Sequence, residues 1–395
     1  METAFVVLDV GKTRSKMSLW SSGGKRLAQL DRTNRRPERD GFAQLDVEGV
    51  REWLTQGLAA FAVQARIGAI IPVGHGAAGV LVSGEAVIAA PDYETSIAPD
   101  VASAYDAERD PFAATLSPRL EGGLNLGVQL FDLERRYPDV WPRAGRVLLW
   151  PQFWAWLLSG EAASEVTSLG CHSDLWRPME GRFSDLAVRR GWAERLGPLR
   201  RADDVLGVLR ANVARASSLP GDCLVLCGLH DSNAALHGVR AHPELAGRAF
   251  AVVSTGTWFV CLASGGTGPA AYDEASQMLA NVDVEGRPTP TARFMGGRDY
   301  EAWMARADED GAWATKAAAD LARKTDAALS LINAEGPIVV EGRFATQEGF
   351  VSALAALRPS QSIYRSPDFD GVARGALRLA LPDLTPAEGL ERIGG

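Results

Sequence analysis

Apolar positions run almost unbroken over residues 5–10, stop at Gly11, Lys12 and Thr13, and resume in alternation up to Trp20. That pattern predicts a buried strand, a tight turn and a second strand. It recurs over residues 249–263, where Ser254, Thr255, Gly256 and Thr257 form the turn. Residues 25–31 predict a third strand. Residues 47–66 predict a helix with Val50, Trp53, Leu54, Leu58, Phe61 and Ala62 on one stripe. A strand at 69–73 runs into Gly74, His75 and Gly76, and residues 80–82 and 86–89 flank a Ser-Gly-Glu turn as a hairpin. The pattern over 124–215 is mainly helical.

The stretch 147–158 is apolar but short and contains Pro151, so it predicts a buried helix rather than a membrane span. Residues 219–222 carry Pro and Gly just before a strand at 223–227 and a turn at 228 entering a helix. Later come helices at 301–334, 348–357 and 371–381, and a strand at 337–341. Strands mixed with helices imply an α/β fold. A chain of 395 residues exceeds what one core usually serves. Two domains are therefore expected, 1–222 and 223–395.

Hydrophobic residues make up 46% and charged residues 23%, which is ordinary for a globular protein. A net charge of −8 without clustered Lys or Arg argues against a nucleic-acid partner. It leaves small phosphates open, since local dipoles hold those. Cys171, Cys223, Cys227 and Cys261 lack CxxC spacing and read as reduced core thiols. No basic segment followed by an apolar run opens the chain, so a cytoplasmic protein without a membrane partner is expected.

The candidate chemistry lies in the doubled turn. A glycine beside hydroxyls lets backbone N–H groups approach an anion closely. Two such turns, one per half, suggest a nucleoside triphosphate held between related domains. Residues 74–79 also fit GxGxxG, but a dinucleotide loop must open a helix, and residues 80–88 read as strand, turn, strand.

Five segments in order resemble the FGGY family of carbohydrate kinases, of the actin, hexokinase and heat-shock ATPase superfamily. They are Asp9 to Thr13, Gly74 to Gly76, Gly228 to Asp231, Ser254 to Thr257, and the glycines around 342–349 with the small residues of 371–376. The resemblance covers nearly the whole chain. It implies a ribonuclease H-like fold of two mixed sheets flanked by helices, with a cleft between them. It also implies ATP with Mg2+ as cofactors, and phosphoryl transfer to a sugar hydroxyl.

Under that resemblance Asp231 is the general base; read alone, an aspartate there equally caps the helix it opens. Asp9 would hold Mg2+, with a turn aspartate as the plain alternative. Gly11, Thr13, Gly256 and Thr257 would receive phosphates. Lys12 has two open readings, a point charge on the γ-phosphate or a solvated turn lysine. His75, Asp92 and Gln152, with Asp231, are the sugar-side candidates, and Gly342 and Phe344 the nucleotide-base ones. Glu165 is acidic near the cleft with its role open. Residues 167–176 resemble kinases of deoxyketoses such as L-fuculose or L-rhamnulose. The eroded base motif keeps a second reading, a catalytically weak sensor of sugar or nucleotide. A homodimer is left open.

Overall fold

The computed structural model describes residues 2–305, 312–367 and 370–393. Thr3–Val10 is apolar on both faces: Val6, Leu8 and Val10 point into one core cluster and Val7 into another. A strand apolar on both sides belongs inside a sheet. It pairs antiparallel with Arg14–Ser21 and parallel with Arg66–Gly74. Phe250–Thr255 repeats the arrangement, antiparallel to Phe259–Ser264 and parallel to Ile338–Gly342. Register matches as well, with Val10 opposite Gly74 and Thr255 opposite Gly342. The doubled hairpin of the sequence is thus a repeated three-strand unit, the centre of two seven-stranded mixed sheets among the described residues.

The first sheet runs Val205–Val208, Leu224–Leu226, Arg66–Gly74, Thr3–Val10, Arg14–Ser21, Arg26–Thr33, with Leu229–His230 also beside Arg66–Gly74. The expected boundary after residue 222 therefore falls inside this sheet, and the chain leaves it after His230. The second sheet runs Leu279–Val282, Pro288–Phe294, Phe259–Ser264, Phe250–Thr255, Ile338–Gly342, Ile363–Arg365, Glu391–Ile393.

Other sequence expectations shift for local reasons. The helix expected to reach residue 66 spans Val47–Ala62, because Arg66 already opens a strand. Residues 147–158 divide into the strand Gly145–Leu149 and the helix Trp150–Ser159. Pro151 sits in that helix's first turn, where its missing N–H costs nothing. Residues 301–334 hold the end of Gly296–Met304 and the helix Ala312–Leu331, with 306–311 outside the described residues. All four cysteines are free and buried, as expected. Among the described residues no helix is long and apolar enough to cross a membrane.

The helix Asp231–Val239 lies between the sheets. Ala234 packs in the cluster of Val7, Ile71 and Leu229, whereas Leu236 and Val239 join Val252, Leu262 and Val339. It crosses the helix Gly371–Ala380 so closely that a Cβ on Gly375 would stand 1.7 Å from the Ala234 carbonyl oxygen. Only glycine permits that approach. The small residues of 371–376 therefore serve first to seat the helix that carries Asp231.

Candidate active site

A cavity of about 310 Å3 lies between the sheets, with His75, Tyr93 and Asp231 on one side and Gly256, Thr257 and Arg293 on the other. Asp231 is the first residue of its helix, with His230 in the capping position. Its Oδ1 accepts the Ser232 N–H (2.6 Å) and hydroxyl (3.2 Å). The same oxygen lies 3.2 Å from His230 Nε2. Asn233 donates its amide to His230 Nδ1 at 3.1 Å, which leaves the imidazole proton on Nε2, facing the carboxylate. Burial also holds this histidine below its usual pKa, hence neutral. Every such contact falls on Oδ1; Oδ2 has no hydrogen-bond partner among the described residues.

The backbone leading to Asp231 is braced from behind by residues whose role the sequence did not reveal. The fully buried Glu165 accepts the Thr167 N–H (3.0 Å) and hydroxyl (2.5 Å), and Thr167 in turn accepts the His230 N–H at 3.0 Å. Burial raises the Glu165 carboxyl to about 7 despite these bonds. Gln152, expected at the sugar, is instead fully buried and outside the cavity wall; its amide donates to the carbonyls of Cys227 (3.2 Å) and Gly228 (3.1 Å). It supports the turn before Asp231.

Asp9 ends its strand with its carboxyl raised to about 7, first by burial and next by the charge of Asp231. Lys16, opposite it on the neighbouring strand, offsets part of this. The adjoining turn is held by Asn34, whose amide donates to the carbonyl of Gly11 (2.8 Å) and whose N–H donates to that of Thr13 (2.9 Å). Gly11 and Thr13 do not line the cavity. Asp9 and Lys12 stand outside the cavity wall as well.

Lys12 is not the solvated turn lysine of one expected reading. Its ammonium pairs with Asp92 at 3.2 Å and with Glu94, and lies 4.8 Å from the Tyr93 ring centre. Asp92, expected on the sugar, is buried, stands outside the cavity wall and also pairs with Arg36 at 2.7 Å. The segment presents Tyr93 to the cavity instead. Tyr93 in turn meets the His75 ring edge-on at 5.0 Å. His75 bonds the Gly76 carbonyl through Nδ1 (3.2 Å), so that nitrogen carries the proton. Its Nε2 is a buried acceptor without a partner. Burial lowers its pKa to about 4, so it is neutral at pH 7.

On the opposite wall the Ser254–Thr257 turn lines the cavity. Thr255 ties it to the neighbouring turn: its hydroxyl donates to the Glu341 carbonyl (2.5 Å) and accepts the Phe344 N–H (2.9 Å). Gly342, at φ +82°, takes a left-handed conformation there, and a Cβ would strike the Thr255 carbonyl oxygen at 2.4 Å. Phe344, expected to meet the nucleotide base, is only 1% exposed and packs edge-on against Phe259 and Tyr300. Its ring belongs to the domain core. Among the described residues no cluster of three or more His, Cys, Asp or Glu could hold a metal.

The family profile described as "Carbohydrate kinase FGGY, C-terminal domain" matches residues 247–323 and 302–388. Among curated proteins, no sequence matches. A solved carbohydrate kinase from Novosphingobium aromaticivorans is 39% identical, with a TM-score of 0.92 over 100% of this chain and 94% of that one. A ligand-bound xylulose kinase from Lactobacillus acidophilus superposes at TM-score 0.80 with 12% identity, over 97% of this chain and 89% of that one. The glycerol kinase of Plasmodium falciparum with ADP superposes at 0.74 with 9% identity, over 99% and 95%. The last two share the fold.

Proposed function

The chain belongs to the FGGY family of carbohydrate kinases, and we propose that it transfers the γ-phosphoryl group of ATP to a hydroxyl of a small ketose or deoxyketose, with Asp231 as general base. The observation that carries this reading is the one unengaged oxygen of Asp231. Oδ1 is held by Ser232 and His230, which leaves Oδ2 without a partner among the described residues, on a side chain that lines the cavity together with His75 and Gly256.

The acceptor lies against His75 and Tyr93. A neutral imidazole whose Nε2 accepts can take a hydroxyl proton donor, and the tyrosine face covers sugar C–H groups. The hydroxyl to be phosphorylated passes its proton to Asp231 Oδ2. Its oxygen bonds to the γ-phosphorus as the bond to the β-phosphate oxygen breaks, and ADP leaves. The turn at Gly256–Thr257, which lines the cavity, supplies N–H and hydroxyl donors to the phosphates. Closure of the two halves keeps water from competing for the phosphoryl group.

Asp9 and Asp231 fit Mg2+. They are neighbouring carboxylates, and neither forms a salt bridge with a Lys or Arg side chain among the described residues. Mg2+ is commonly held by one or two carboxylates with the remaining positions from phosphate and water. Asp9 would hold the ion, whose chemistry is to neutralise charge between the β- and γ-phosphates.

Release of ADP, followed over a panel of ketoses and deoxyketoses, tests the reading. Turnover is expected with at least one sugar and abolished in Asp231→Asn, while sugar binding persists. A variant that turns over at wild-type rate removes Asp231 from the mechanism.

A further inference from the structure

Arg293 lines the cavity from the strand Pro288–Phe294, and among the described residues no other Lys or Arg does. Register fixes its place. Phe294 pairs with Phe259 and Arg293 with Val260, so Arg293 stands beside the strand that leaves the Ser254–Thr257 turn. Its guanidinium lies 5.0 Å from the ring centre of Trp258, the residue after that turn. It therefore belongs to the wall of Gly256 and Thr257, opposite His75 and Tyr93. Strand and turn are parts of one sheet, so the guanidinium and the turn move together as the halves close.

The guanidinium forms no salt bridge or hydrogen bond among the described residues, and its Nε is buried without a partner. Thr291, two residues back on the same face of the strand, is already engaged. It accepts the Asn281 amide at 3.1 Å and donates to the Thr289 carbonyl at 2.9 Å. Trp258 steadies the guanidinium through its ring and consumes no donor. Burial lowers the pKa of Arg293 to about 10, so it is charged at neutral pH. A desolvated cation without a counter-ion is costly, and here the anion arrives with the ligand. A neutral ketose brings none. The phosphoryl group in transfer is the anion that must stand between the Gly256–Thr257 turn and Asp231, and both line this cavity.

We infer that Arg293 is a further catalytic residue, whose guanidinium donates to the peripheral oxygens of the phosphoryl group as it passes from ATP to the sugar. This rests on the kinase reading above and adds a cation that the chain itself supplies on the phosphate side. At mid-transfer the negative charge is spread over those oxygens. A planar fork of donors spans two of them at once, which a point charge cannot do. Arg293 exchanges no proton. The hydroxyl proton goes to Asp231 Oδ2 and the sugar oxygen bonds to the γ-phosphorus. The bond from that phosphorus to the β-phosphate oxygen breaks, and its electron pair leaves on ADP. The other basic groups nearby do not take this place. Lys12 stands outside the cavity wall, paired with Asp92 and Glu94, and burial holds His75, His172 and His230 below their usual pKa.

The test measures ADP release over the panel of ketoses and deoxyketoses for wild type, Arg293→Gln and Arg293→Lys. Arg293→Gln should lower kcat by about 100- to 1,000-fold. The sugar KM should stay within about twofold and the ATP KM should rise by no more than about fivefold. Arg293→Lys should recover part of the rate, because it keeps the charge and loses the fork. Protection against heat gives a second readout that needs no turnover. ADP with fluoroaluminate, a mimic of the phosphoryl group in transfer, should protect wild type in the presence of sugar beyond ADP alone. That increment should vanish in Arg293→Gln, while protection by ADP persists and shows that the variant folds. Wild-type kcat in Arg293→Gln, a defect confined to the sugar KM, or one confined to the ATP KM overturns the inference and leaves the kinase reading standing. An increment that depends on Arg293 in a protein releasing no ADP with any sugar sinks the kinase reading and leaves the grip of Arg293 on the phosphoryl position standing.

Discussion

Thr167 accepts the His230 N–H at 3.0 Å while giving its own proton to Glu165. This couples a buried carboxyl to the residue immediately before the proposed base. Thr167→Val keeps the volume and removes both bonds, leaving the buried His230 N–H unpaired and Glu165 Oε2 with only the Ser168 N–H at 3.3 Å. Misplacement of Asp231 should lower kcat by about 10- to 100-fold with little change in the KM for ATP. Thr167→Ser, which keeps the hydroxyl, should recover most of the rate. Equal damage from both variants would show that the methyl group, and not the hydrogen bonds, is what matters.

Lys12 separates two accounts of the first turn. Its ammonium is held by Asp92 and Glu94 against the Tyr93 ring. Lys12→Met should therefore loosen the acceptor wall, raising the acceptor KM about tenfold and leaving the KM for ATP within about twofold. The reverse split, with ATP affinity lost and the acceptor unaffected, would put the ammonium on the γ-phosphate.

What could be read in the chain beforehand was local. Thr3–Val10 and Phe250–Thr255 are apolar on both faces, and each is followed by a glycine turn; both features lie within a few residues. The resemblance pointed to Asp231 and Gly256, and both line the cavity. The failures all involve distant partners. Asp92 is engaged by Lys12 and Arg36, Gln152 by the turn at Cys227 and Gly228, and the Phe344 ring by Phe259 and Tyr300. Each has the right residue type for a ligand, and nothing in its neighbours along the chain shows that a protein group already occupies it. Arg293 was missed for the opposite reason. A lone arginine in a strand looks solvated until the fold shows no carboxylate beside it.

The crossing at Gly375 should be among the least tolerant positions away from the cavity wall. A Cβ there meets the Ala234 backbone oxygen at 1.7 Å, and backbone cannot move aside as a flexible side chain can. Gly375→Ala should destabilise the protein by about 3 kcal/mol or more and, by displacing the helix of Asp231, lower kcat in the fraction that folds. Gly221, with no atom within 4 Å of its added Cβ, is the control. Gly221→Ala should change stability by no more than about 0.5 kcal/mol. Denaturant melts of both variants decide; equal stability would mean that the two helices can separate without cost.

Asp9 should make stability and metal binding depend on pH in opposite directions. Its carboxyl titrates at about 7 in the folded chain against an ordinary value of 3.8. Between those values the folded state holds a proton that the unfolded state has released. Stability from this group therefore falls as pH rises from about 4 to 7 and is level above that. Asp9→Asn removes the cost. The variant should melt higher than wild type at pH 8, by the equivalent of about 1 to 3 kcal/mol, and the gap should close towards pH 4. Mg2+ with ATP needs the ionised carboxylate, so its protection of wild type should strengthen as pH rises through about 7 and be weak at every pH in Asp9→Asn. A stability gap that stays constant from pH 4 to pH 8 would mean that Asp9 does not titrate in this range, and its part in holding the metal would lose its support.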